Sequence, residues 1–591
     1  MRIVIVGGVA GGMSAAARAR RLAENAEIIV VEKDDYVSFA NCGLPYHVSG
    51  EIANRADLLV QTPQSLRRAL ALDVRTATEA IAVDRTEKKV RVRDADGEYD
   101  LAYDALVLSP GARAVRPPIP GVDSPLVQTL RTVPDADSVR ALVESGARRA
   151  VVLGGGYIGL EAAEALRARG LEVALVDLAP HVLPPLEDEL ASLVHRELTR
   201  NGVSVHTGVS AEAIEQAVPV EDDAPADPED HVEVVLSDGT RLPADVVLLS
   251  VGVRPNSTLA ADAGLELGPT GAIRVDSELR TSDPAIWAVG DAIEVQHGVT
   301  ATLGPIPLAG PANRQGRAAA DALVRQLTAD PAAGEPTGAC AAPPAVLGTA
   351  IVRVFGLTAA MTGANRTALE KAGIDHHVVH VHPNHHAGYY PGASQLHLVV
   401  NVGTDGRILG AQAVGKKGVD KRIDVLATAI RAGMTADDIA ELELSYAPPF
   451  GSAKDPVNMA GFVAQNLLAG ILDLWYPWQL EAVQAEALVL DVRSPGEYAS
   501  GHLPGAVNVP HTRIRERLQE IREMTQGRPV RVLCASGFRS YLAHRMLTAA
   551  GLDSANLSGG MLTMRAARPD LALEAGQAPS RVAPATSTAS G

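Results

Sequence analysis

Two of the cysteines stand in surroundings that suit sulfur chemistry. Cys42 lies in the segment SFANCGLPY (residues 38–46) with no second cysteine nearby, so it cannot form a local dithiol pair. A lone thiolate can form a mixed disulfide with a small thiol or be oxidised to a sulfenic acid. Cys534 follows the apolar run VRVL and begins a short loop that reaches Arg539. Loop N–H groups and a following helix N-terminus would favour an anionic sulfur there, as in a persulfide.

A glycine-rich turn near the N-terminus is the first sign of a nucleotide site. It follows the apolar run RIVIV and precedes an Ala-rich helix, an arrangement that lets the backbone approach a pyrophosphate. The next strand ends at Glu32, 20 residues after Gly12, which is the spacing expected for a carboxylate on the adenosine ribose. Val9 occupies the usual second-glycine position, so the motif is imperfect. The predicted turn residues are Gly7, Gly8, Val9, Ala10, Gly11 and Gly12.

A second strand, glycine turn and helix occur at AVVLGGGYIGLEAAEAL (residues 150–166). Gly154, Gly156 and Gly159 fit the dinucleotide fingerprint, and the strand EVALVD ends at Asp177. An acid there binds a free ribose 2′-hydroxyl and repels a 2′-phosphate, so NADH is favoured, although neighbouring groups can rescue NADPH binding. Ordinary tight strand–helix turns are the plain alternative for both motifs.

Two dinucleotide sites in one chain indicate one bound flavin and one exchanging nicotinamide. The segment IWAVGDA (residues 286–292) places Asp291 after an apolar strand and a glycine. It resembles the second FAD motif of flavoproteins with two dinucleotide-binding domains, in which the acid holds the ribitol. The segments LVLSPGA (residues 106–112) and LLSVGVRPN (residues 248–256) resemble that family's crossovers. The resemblance covers about residues 1–330.

The segment around Cys42 and the helix GGMSAAARARRL (residues 11–22) resemble coenzyme A disulfide reductase. The resemblance implies a coenzyme A site near the lone cysteine. Arg18 and Arg21 lie three residues apart on one helix face, which suits the phosphates of coenzyme A, although a solvated basic face is the alternative. The substrate-binding residues implied are Ser14, Arg18, Arg21, Ser38 and Asn41.

Residues of about 345–470 resemble that family's dimerisation domain, through YYPG, ILGAQAVGKKGVDKRID and YAPPF. The resemblance implies that Tyr446, and one of Tyr389 or Tyr390, reach the partner subunit's active site, and we favour Tyr389. It also implies that Lys454 and Asn458 contact coenzyme A. A phenol there can donate a proton or hydrogen bond to a leaving thiolate. A packed aromatic turn is the alternative.

The C-terminal segment, about residues 475–570, resembles a rhodanese domain. The similarity lies in LVLDVRSPGEYASGHLPGAVNVP, the six-residue loop from Cys534 and LSGG (residues 557–560). A related phosphatase fold uses a longer loop that fits phosphate, so the short loop favours sulfur. An inactive module of this type is the alternative, but such modules usually lack the cysteine.

Six histidines crowd residues 376–386, and imidazole is a common metal ligand. The run VVHVH alternates like a strand, and no cysteine or carboxylate beyond Asp375 joins them closely in the sequence. We therefore predict no metal site. Cys340 lies in an Ala/Pro connector without a basic neighbour and is assigned no role.

Composition narrows the remaining possibilities. The 591 residues carry a formal charge of −17, which argues against nucleic-acid binding. Three cysteines cannot build a disulfide framework in so long a chain, so a reducing cytosol is expected. The start MRIVIVGGVAGG indicates a first strand rather than a signal peptide, and no apolar run is long enough for a membrane span.

These patterns and resemblances predict an α/β protein with interleaved Rossmann-like FAD and NAD(P) domains, an α+β dimerisation domain and a C-terminal α/β rhodanese domain. The expected boundaries are 1–112 and 251–330 for FAD, 113–250 for NAD(P)H, 345–470 for dimerisation, 475–570 for rhodanese and a disordered tail at 576–591. An acidic loop is expected at residues 217–230. A homodimer is implied.

The implied activity is NADH-dependent, FAD-mediated reduction of coenzyme A persulfide, coenzyme A disulfide or polysulfide through Cys42, with Cys534 carrying sulfane sulfur. Coenzyme A is expected either as a bound group or as a cosubstrate. Two alternatives stay open. One is an NADH oxidase or peroxidase in which Cys42 cycles through sulfenic acid, and the other is a sulfur-delivery protein whose flavin part is a redox sensor.

Overall fold

The computed structural model describes residues 1–216, 231–329 and 345–576. Its described residues form two compact units, one from 1–184 and 198–348 and the other from 185–197 and 349–591. The predicted acidic loop, Cys340 and nearly all of the predicted tail lie outside the described residues. No helix in the described ranges has the length and apolar character needed to span a bilayer.

The first unit is built around two parallel sheets. Up to residue 114 its elements are β1 (Arg2–Val6), α1 (Ala10–Leu22), β2 (Glu27–Val31), α2 (Leu44–Ser49), α3 (Pro63–Leu70), β3 (Asp73–Arg75), β4 (Glu79–Asp84), β5 (Lys89–Asp94), β6 (Gly97–Ala102), β7 (Ala105–Leu108) and β8 (Ala112–Ala114). They continue as β9 (Val127–Gln128), α4 (Val133–Glu144), β10 (Arg149–Leu153), α5 (Tyr157–Ala168), β11 (Glu172–Asp177), β12 (Val203–Thr207), β13 (Ala211–Gln216), β14 (Val232–Leu236), β15 (Arg241–Ala244), β16 (Val246–Leu249) and β17 (Val253–Pro255). Helix α6 (Asp188–Arg200) comes before β12 in the chain, and its residues 188–197 belong to the second unit. The last are α7 (Thr258–Asp262), β18 (Ile286–Ala288), β19 (Val295–Gln296), β20 (Leu303–Gly304) and α8 (Ala309–Thr328).

The two parallel sheets follow the predicted repeat. One has the strand order β18-β7-β1-β2-β3 and the other β12-β11-β10-β16-β9. In each, the strand before the glycine turn lies in the middle, so the turn and the following helix N-terminus sit at the carboxyl edge where nucleotides bind. Continuous apolar runs such as IVIV and AVVL form these strands because both faces of a parallel sheet are buried. The pair β8 and β17 joins the two crossover segments.

The second unit begins with a mostly antiparallel part. Its elements are β21 (Ala350–Val354), β22 (Leu357–Gly363), α9 (Arg366–Lys371), β23 (His376–Val381), β24 (Leu396–Gly403), β25 (Ile408–Gly415), α10 (Val419–Ala432), α11 (Ala436–Ala440) and α12 (Pro456–Leu468). The strand order is β21-β22-β25-β24-β23, with neighbours antiparallel. Helix α10 packs on this sheet through an apolar face that includes Ile423 and Leu426. This is the predicted α+β arrangement.

The unit ends in a five-stranded parallel sheet of order β26-β30-β29-β27-β28. Its elements are β26 (Leu474–Trp475), α13 (Leu480–Glu486), β27 (Leu488–Asp491), α14 (Pro495–Ala499), β28 (Val507–Asn508), α15 (Leu518–Thr525), β29 (Val530–Leu533), α16 (Phe538–Ala549), β30 (Ser554–Leu557) and α17 (Gly560–Ala567). Separate apolar clusters form its core, and one of them includes Cys534. The predicted α/β fold class is confirmed.

Candidate active site

The turn between β1 and α1 forms one end of a cavity of about 500 Å³. Gly7 has a φ of +101°, and a Cβ there would overlap the carbonyl oxygen of Ser109, so the turn needs glycine at that position. Gly11 also lines the cavity, whereas a Cβ at Gly12 would overlap the carbonyl oxygen of Gly7. Gly12 therefore allows close packing of α1 on β1 instead of contacting a ligand. The narrow backbone turn fits a pyrophosphate.

Glu32 lies in the same cavity wall, directly after β2. Its carboxylate accepts hydrogen bonds from the backbone N–H of Gly8 at 2.7 Å and of Asp34 at 3.1 Å. Burial raises the pKa of Glu32, while these hydrogen bonds act in the opposite direction. The carboxylate thus braces the glycine turn and lines the end of the cavity where the sequence predicts an adenosine ribose.

Asp291 lies on the wall of the same cavity, in the turn after β18. Burial raises its pKa, and Arg131 at 3.4 Å opposes this shift. The neighbouring Gly290 N–H donates to Gln315 Oε1 at 2.9 Å, which fixes the turn. Arg131 was not foreseen, because it lies 160 residues from Asp291 in the sequence. A half-buried acid with a nearby cation suits the hydroxyls of a ribitol, so the cavity fits FAD.

The second glycine turn, between β10 and α5, has the same geometry. Gly154 has a φ of +104°, and a Cβ at Gly159 would overlap the carbonyl oxygen of Gly154. Asp177 accepts hydrogen bonds from the N–H of Gly155 at 2.5 Å and of Ala179 at 2.7 Å. A Cβ at Gly156 would meet no atom within 4 Å, so open space lies over the N-terminus of α5. These features fit an exchanging dinucleotide.

Cys42 sits in a short 3₁₀ turn before α2, with its side chain exposed. The N–H of Cys42 donates to Asn41 Oδ1 at 3.0 Å, and its Sγ lies 3.7 Å from the same oxygen. Partial desolvation in the cleft raises the pKa of the thiol, and the carboxylates of Glu161 and Asp291 raise it further. Without a bound cofactor, the local field therefore disfavours the thiolate.

Glu161→Gln removes one of these charges, and its amide oxygen can still accept the Tyr46 hydroxyl, which lies 3.1 Å from Glu161 Oε1. The pKa of Cys42 should fall, so the thiolate appears at lower pH. We expect Cys42 to react with iodoacetamide roughly two- to fivefold faster at pH 7 in the flavin-free protein. Peptide-resolved mass spectrometry over a pH series measures the rate. Glu164→Gln on the same helix is the matched control, and an unshifted profile in Glu161→Gln would contradict the assignment.

A second cavity, of about 690 Å³, adjoins the Cys42 turn at Ser38, Phe39 and Asn41. Val9, Ala10, Phe39 and Asn41 line both this cavity and the flavin-shaped one, so the two meet beside Cys42. The second cavity is lined by five of the seven predicted substrate residues, Ser14, Arg18, Arg21, Ser38 and Asn41, and also by Gln61, Asn313 and Arg317.

The last two of these residues come from α8, which the sequence did not link to this site. A Cβ at Gly316 would overlap the carbonyl oxygen of Gly11, so the small residues let α8 press against α1. This close approach brings Arg317 to the cavity. Arg18 donates to Asp321 at 2.6 Å, whereas Arg21 is exposed. The cations best placed for an anionic ligand are therefore Arg21 and Arg317. Arg18 also lines the cavity, but its charge is already paired with Asp321.

In the second unit, Tyr389 and Tyr446 project from loops with their hydroxyls 3.3 Å apart. Tyr389 is 77% exposed and Tyr446 is 50% exposed, which is unusual for large aromatic side chains. The hydrogen bond with Tyr446 raises the pKa of Tyr389, which keeps this phenol protonated. The pair presents phenol groups at the surface, and the reach of these tyrosines into a partner subunit stays a prediction.

The two other residues predicted to contact coenzyme A, Lys454 and Asn458, differ in their exposure. Lys454 is exposed, but Asn458 is buried, and its amide donates to the carbonyls of Ile439, Ala440 and Leu442. Its Oδ1 accepts the N–H of Asp455 and closes the capping box of α12. All of its polar capacity is used within the unit, so the structure favours a structural role for Asn458 in place of the predicted ligand contact.

Cys534 lies at the end of β29, and its Sγ is fully buried. The N–H of Gly537 and the hydroxyl of Ser540 both point at this sulfur from 3.2 Å. Arg539 forms a two-point ion pair with Glu497, at 2.6 and 2.8 Å, and lowers the pKa of Glu497 to about 2. The loop therefore presents hydrogen-bond donors to an anionic sulfur, as the sequence predicts.

The histidine-rich strand does not gather metal ligands in the described residues. His380 bonds to Glu189 and Ser558, and His382 bonds to Thr563 and His397. The carboxylate partner Glu189 is distant in the sequence and was not foreseen.

The family model of pyridine nucleotide-disulphide oxidoreductases matches residues 1–316, more than half of the chain. The chain belongs to this family. The family's dimerisation domain matches residues 349–456 of this oxidoreductase, and the rhodanese-like domain matches residues 477–567. Both domain predictions are confirmed. Family membership implies FAD and a nicotinamide nucleotide as cofactors.

Relatives of this oxidoreductase include a coenzyme A disulfide reductase from Staphylococcus haemolyticus, 35% identical over 79% of the chain and 100% of the relative. An NADH oxidase from Methanocaldococcus jannaschii is 32% identical over 78% of the chain and 98% of the relative. Among solved structures, reduced CoADR-RHD of Bacillus anthracis is 41% identical, with a TM-score of 0.90 and coverage of 97% and 99%. A NAD-dependent persulfide reductase from A. fulgidus is 39% identical, with a TM-score of 0.85 and coverage of 95% and 100%.

Proposed function

We propose that this oxidoreductase uses NADH to reduce coenzyme A persulfide, coenzyme A disulfide or polysulfide at Cys42, and that Cys534 of the rhodanese domain carries sulfane sulfur. One observation carries the proposal. The flavin-shaped cavity and the basic cavity share Val9, Ala10, Phe39 and Asn41, so an electron donor and an anionic thiol can meet at Asn41, directly before Cys42.

The coenzyme A site is the basic cavity. Coenzyme A carries several phosphate charges on a long flexible thiol arm, and Arg21 and Arg317 supply exposed cations in the cavity wall. Ser14 and Asn313 add polar groups, which now bond to each other at 2.7 Å and can turn to a ligand. The net charge of −17 makes such a local cationic cavity necessary for an anionic ligand.

The chemistry at Cys42 is thiol–disulfide exchange. The Cys42 thiolate attacks the inner sulfur of coenzyme A persulfide, which forms the Cys42–S–S–CoA bond and expels hydrosulfide. With symmetric coenzyme A disulfide, the leaving group is coenzyme A thiolate. When bound, FAD supplies the two electrons, received as hydride from NADH, that reopen the mixed disulfide to Cys42 thiolate and coenzyme A thiol. The overall reaction converts coenzyme A persulfide, NADH and a proton to coenzyme A thiol, hydrogen sulfide and NAD⁺.

A second copy of the chain completes the site in this proposal. The dimerisation domain indicates a homodimer. Tyr446 and Tyr389 are exposed, and from the partner subunit their phenol hydroxyls can donate a hydrogen bond to the leaving thiolate. Lys454 is exposed and available to the phosphates of coenzyme A. Asn458 is left out of this set because its amide is fully bonded.

NADH is the proposed electron donor. Asp177 holds the glycine turn through Gly155, which leaves a negative charge where a 2′-phosphate of NADPH would lie. We place the reaction in the cytosol, where the few thiols of the chain would stay reduced.

The test is steady-state NADH oxidation by the FAD-loaded enzyme with each acceptor, and with NADPH in parallel. We expect turnover with coenzyme A persulfide or disulfide to exceed turnover with oxygen or peroxide, and NADH to exceed NADPH. Cys534→Ser should slow only donors that load sulfur through the rhodanese domain, since coenzyme A disulfide needs no sulfur carrier. Oxygen or peroxide consumption that needs no sulfur acceptor would instead favour the oxidase, as in the related NADH oxidase. Low turnover with every acceptor would favour the sulfur-delivery role.

A further inference from the structure

His380 in β23 and His382 directly after it form two hydrogen-bonded links to the rhodanese domain, of which the His380 link is buried. The His380 side chain has no exposed surface, and its Nε2 lies 2.7 Å from Glu189 Oε1 while its Nδ1 lies 2.8 Å from Ser558 Oγ. Burial alone would raise the pKa of Glu189, but the hydrogen bond and charge of His380 lower it overall. Because an ionised carboxylate only accepts, Nε2 donates to Glu189, and Nδ1 is left to bond with Ser558.

The second link runs through His382. Its Nε2 lies 2.7 Å from Thr563 Oγ1, and its Nδ1 lies 3.0 Å from Nδ1 of His397. Burial lowers the pKa of both imidazoles, that of His397 to about 4. Both rings are therefore neutral near pH 7, and one Nδ1–H can donate to the other ring. Both ring nitrogens of His382 are engaged, so this imidazole cannot bind a metal without breaking one of these bonds.

The first link ends on Ser558, in the turn that follows β30, and the second ends on Thr563 in α17, which begins directly after that turn. The turn lies beside the Cys534 loop. A Cβ at Gly559, whose φ is +67°, would overlap Thr563 Oγ1 and lie 2.7 Å from His382 Nε2. A Cβ at Gly560, whose φ is +63°, would lie 2.5 Å from the carbonyl oxygen of Cys534 and 2.8 Å from the nitrogen of Gly537. Gly559 therefore lies against the histidine side chains, and the adjacent Gly560 lies against the backbone of the Cys534 loop.

The first residues of α17, directly after this turn, also hold the Cys534 loop through hydrogen bonds. The N–H of Met561 donates to the carbonyl of Cys534 at 2.8 Å, and the N–H of Leu562 donates to the carbonyl of Ala535 at 3.0 Å. The same loop aims the Gly537 N–H at the Cys534 sulfur. A displacement of the turn would therefore move the donor that stabilises the sulfur anion.

We propose that His380 and His382 are positioning residues for sulfur transfer at Cys534, acting through Ser558 and Thr563 on the loop that surrounds the sulfur. The inference rests on the proposed role of Cys534 as a sulfur carrier. In that role the Cys534 thiolate attacks the outer sulfur of thiosulfate, releases sulfite and forms a persulfide. Cyanide then takes the sulfane sulfur as thiocyanate and restores the thiolate. A donor misplaced by about 1 Å can cost on the order of 10²-fold in rate.

The test uses the full-length FAD-loaded enzyme with thiosulfate as sulfur donor and cyanide as acceptor. His380→Gln and the double variant Ser558→Ala/Thr563→Val loosen or cut the links. We expect kcat for thiocyanate formation to fall about tenfold or more, with KM for thiosulfate changed less than about twofold. Site-resolved alkylation of Cys534 should show an altered pH profile. NADH oxidation with coenzyme A disulfide should stay at the wild-type rate, because that reaction uses Cys42.

Ser554→Ala is the matched control, since Ser554 is buried on the same strand and its hydroxyl has no hydrogen-bond partner in the structure. Wild-type kcat in both link variants, or an equal loss in Ser554→Ala, would overturn the positioning role. Should His380→Gln fail to fold, the double variant decides alone, because it leaves the His380–Glu189 pair in place. If Cys534→Ser leaves thiocyanate formation unchanged, the sulfur-carrier role itself fails, which is a separate outcome.

Discussion

Cys42→Ser is expected to abolish NADH-dependent reduction of every sulfur acceptor, with a loss of about 10³-fold or more in kcat. A serine hydroxyl at this position cannot form a mixed disulfide and has no thiolate chemistry to offer a sulfur electrophile. Steady-state NADH oxidation with coenzyme A persulfide, coenzyme A disulfide and polysulfide measures the effect.

The control for this variant is FAD content. The exchange of sulfur for oxygen leaves every residue that lines the flavin-shaped cavity in place, so the variant should bind FAD with the wild-type stoichiometry. Cys534→Ser offers a matched exchange at the other described cysteine and should keep turnover with coenzyme A disulfide. Full activity of Cys42→Ser with any sulfur acceptor would end the proposal for that acceptor.

Arg422→Met is expected to lower the free energy of unfolding of the dimerisation domain by about 3–5 kcal/mol. Arg422 is 1% exposed and Asp455 is 3% exposed, and they form a two-point ion pair at 2.8 and 3.2 Å. Removal of the guanidinium leaves a buried carboxylate that keeps the N–H of Val457 at 3.1 Å and Lys421 at 3.7 Å, and also leaves the carbonyl of His385 without its donor. Urea unfolding followed by circular dichroism measures the loss, with flavin fluorescence as a separate report on the first unit.

A second variant separates the effect of the uncompensated Asp455 charge on stability from the effect of lost packing. Asp455→Asn in the Arg422→Met background removes the uncompensated charge, and asparagine is as good a helix N-cap as aspartate for α12. We expect the double variant to recover a substantial part of the stability. If Arg422→Met alone unfolds at the wild-type urea concentration, the buried pair contributes nothing and the interpretation is wrong.

Local patterns were the most predictable part of this molecule. A strand, a glycine turn and a helix are set by backbone geometry over about 20 residues, so Gly7, Gly154 and the acids Glu32 and Asp177 could be placed from sequence alone. The same holds for the Cys534 loop, where strand, loop and helix follow each other directly.

The site residues that sequence reasoning missed depend on contacts between distant segments. Arg317 reaches the basic cavity because Gly316 lets α8 approach Gly11 of α1, and no local pattern reports such a contact. Glu189 lies 191 residues from His380 in the sequence, so its hydrogen bond to this histidine could not be predicted from the histidine-rich segment alone. Asn458 was predicted from its position in a motif, but the motif does not reveal that its amide already donates to backbone carbonyls.

The most direct test of the account is the intact mass of the FAD-loaded enzyme after incubation with coenzyme A disulfide and removal of excess ligand. We expect one coenzyme A per chain, located on the Cys42 peptide, absent from Cys42→Ser and released as free thiol when NADH is added. A Cys42 that stays unmodified, carries only a sulfenic acid, or keeps its coenzyme A after NADH addition would contradict it.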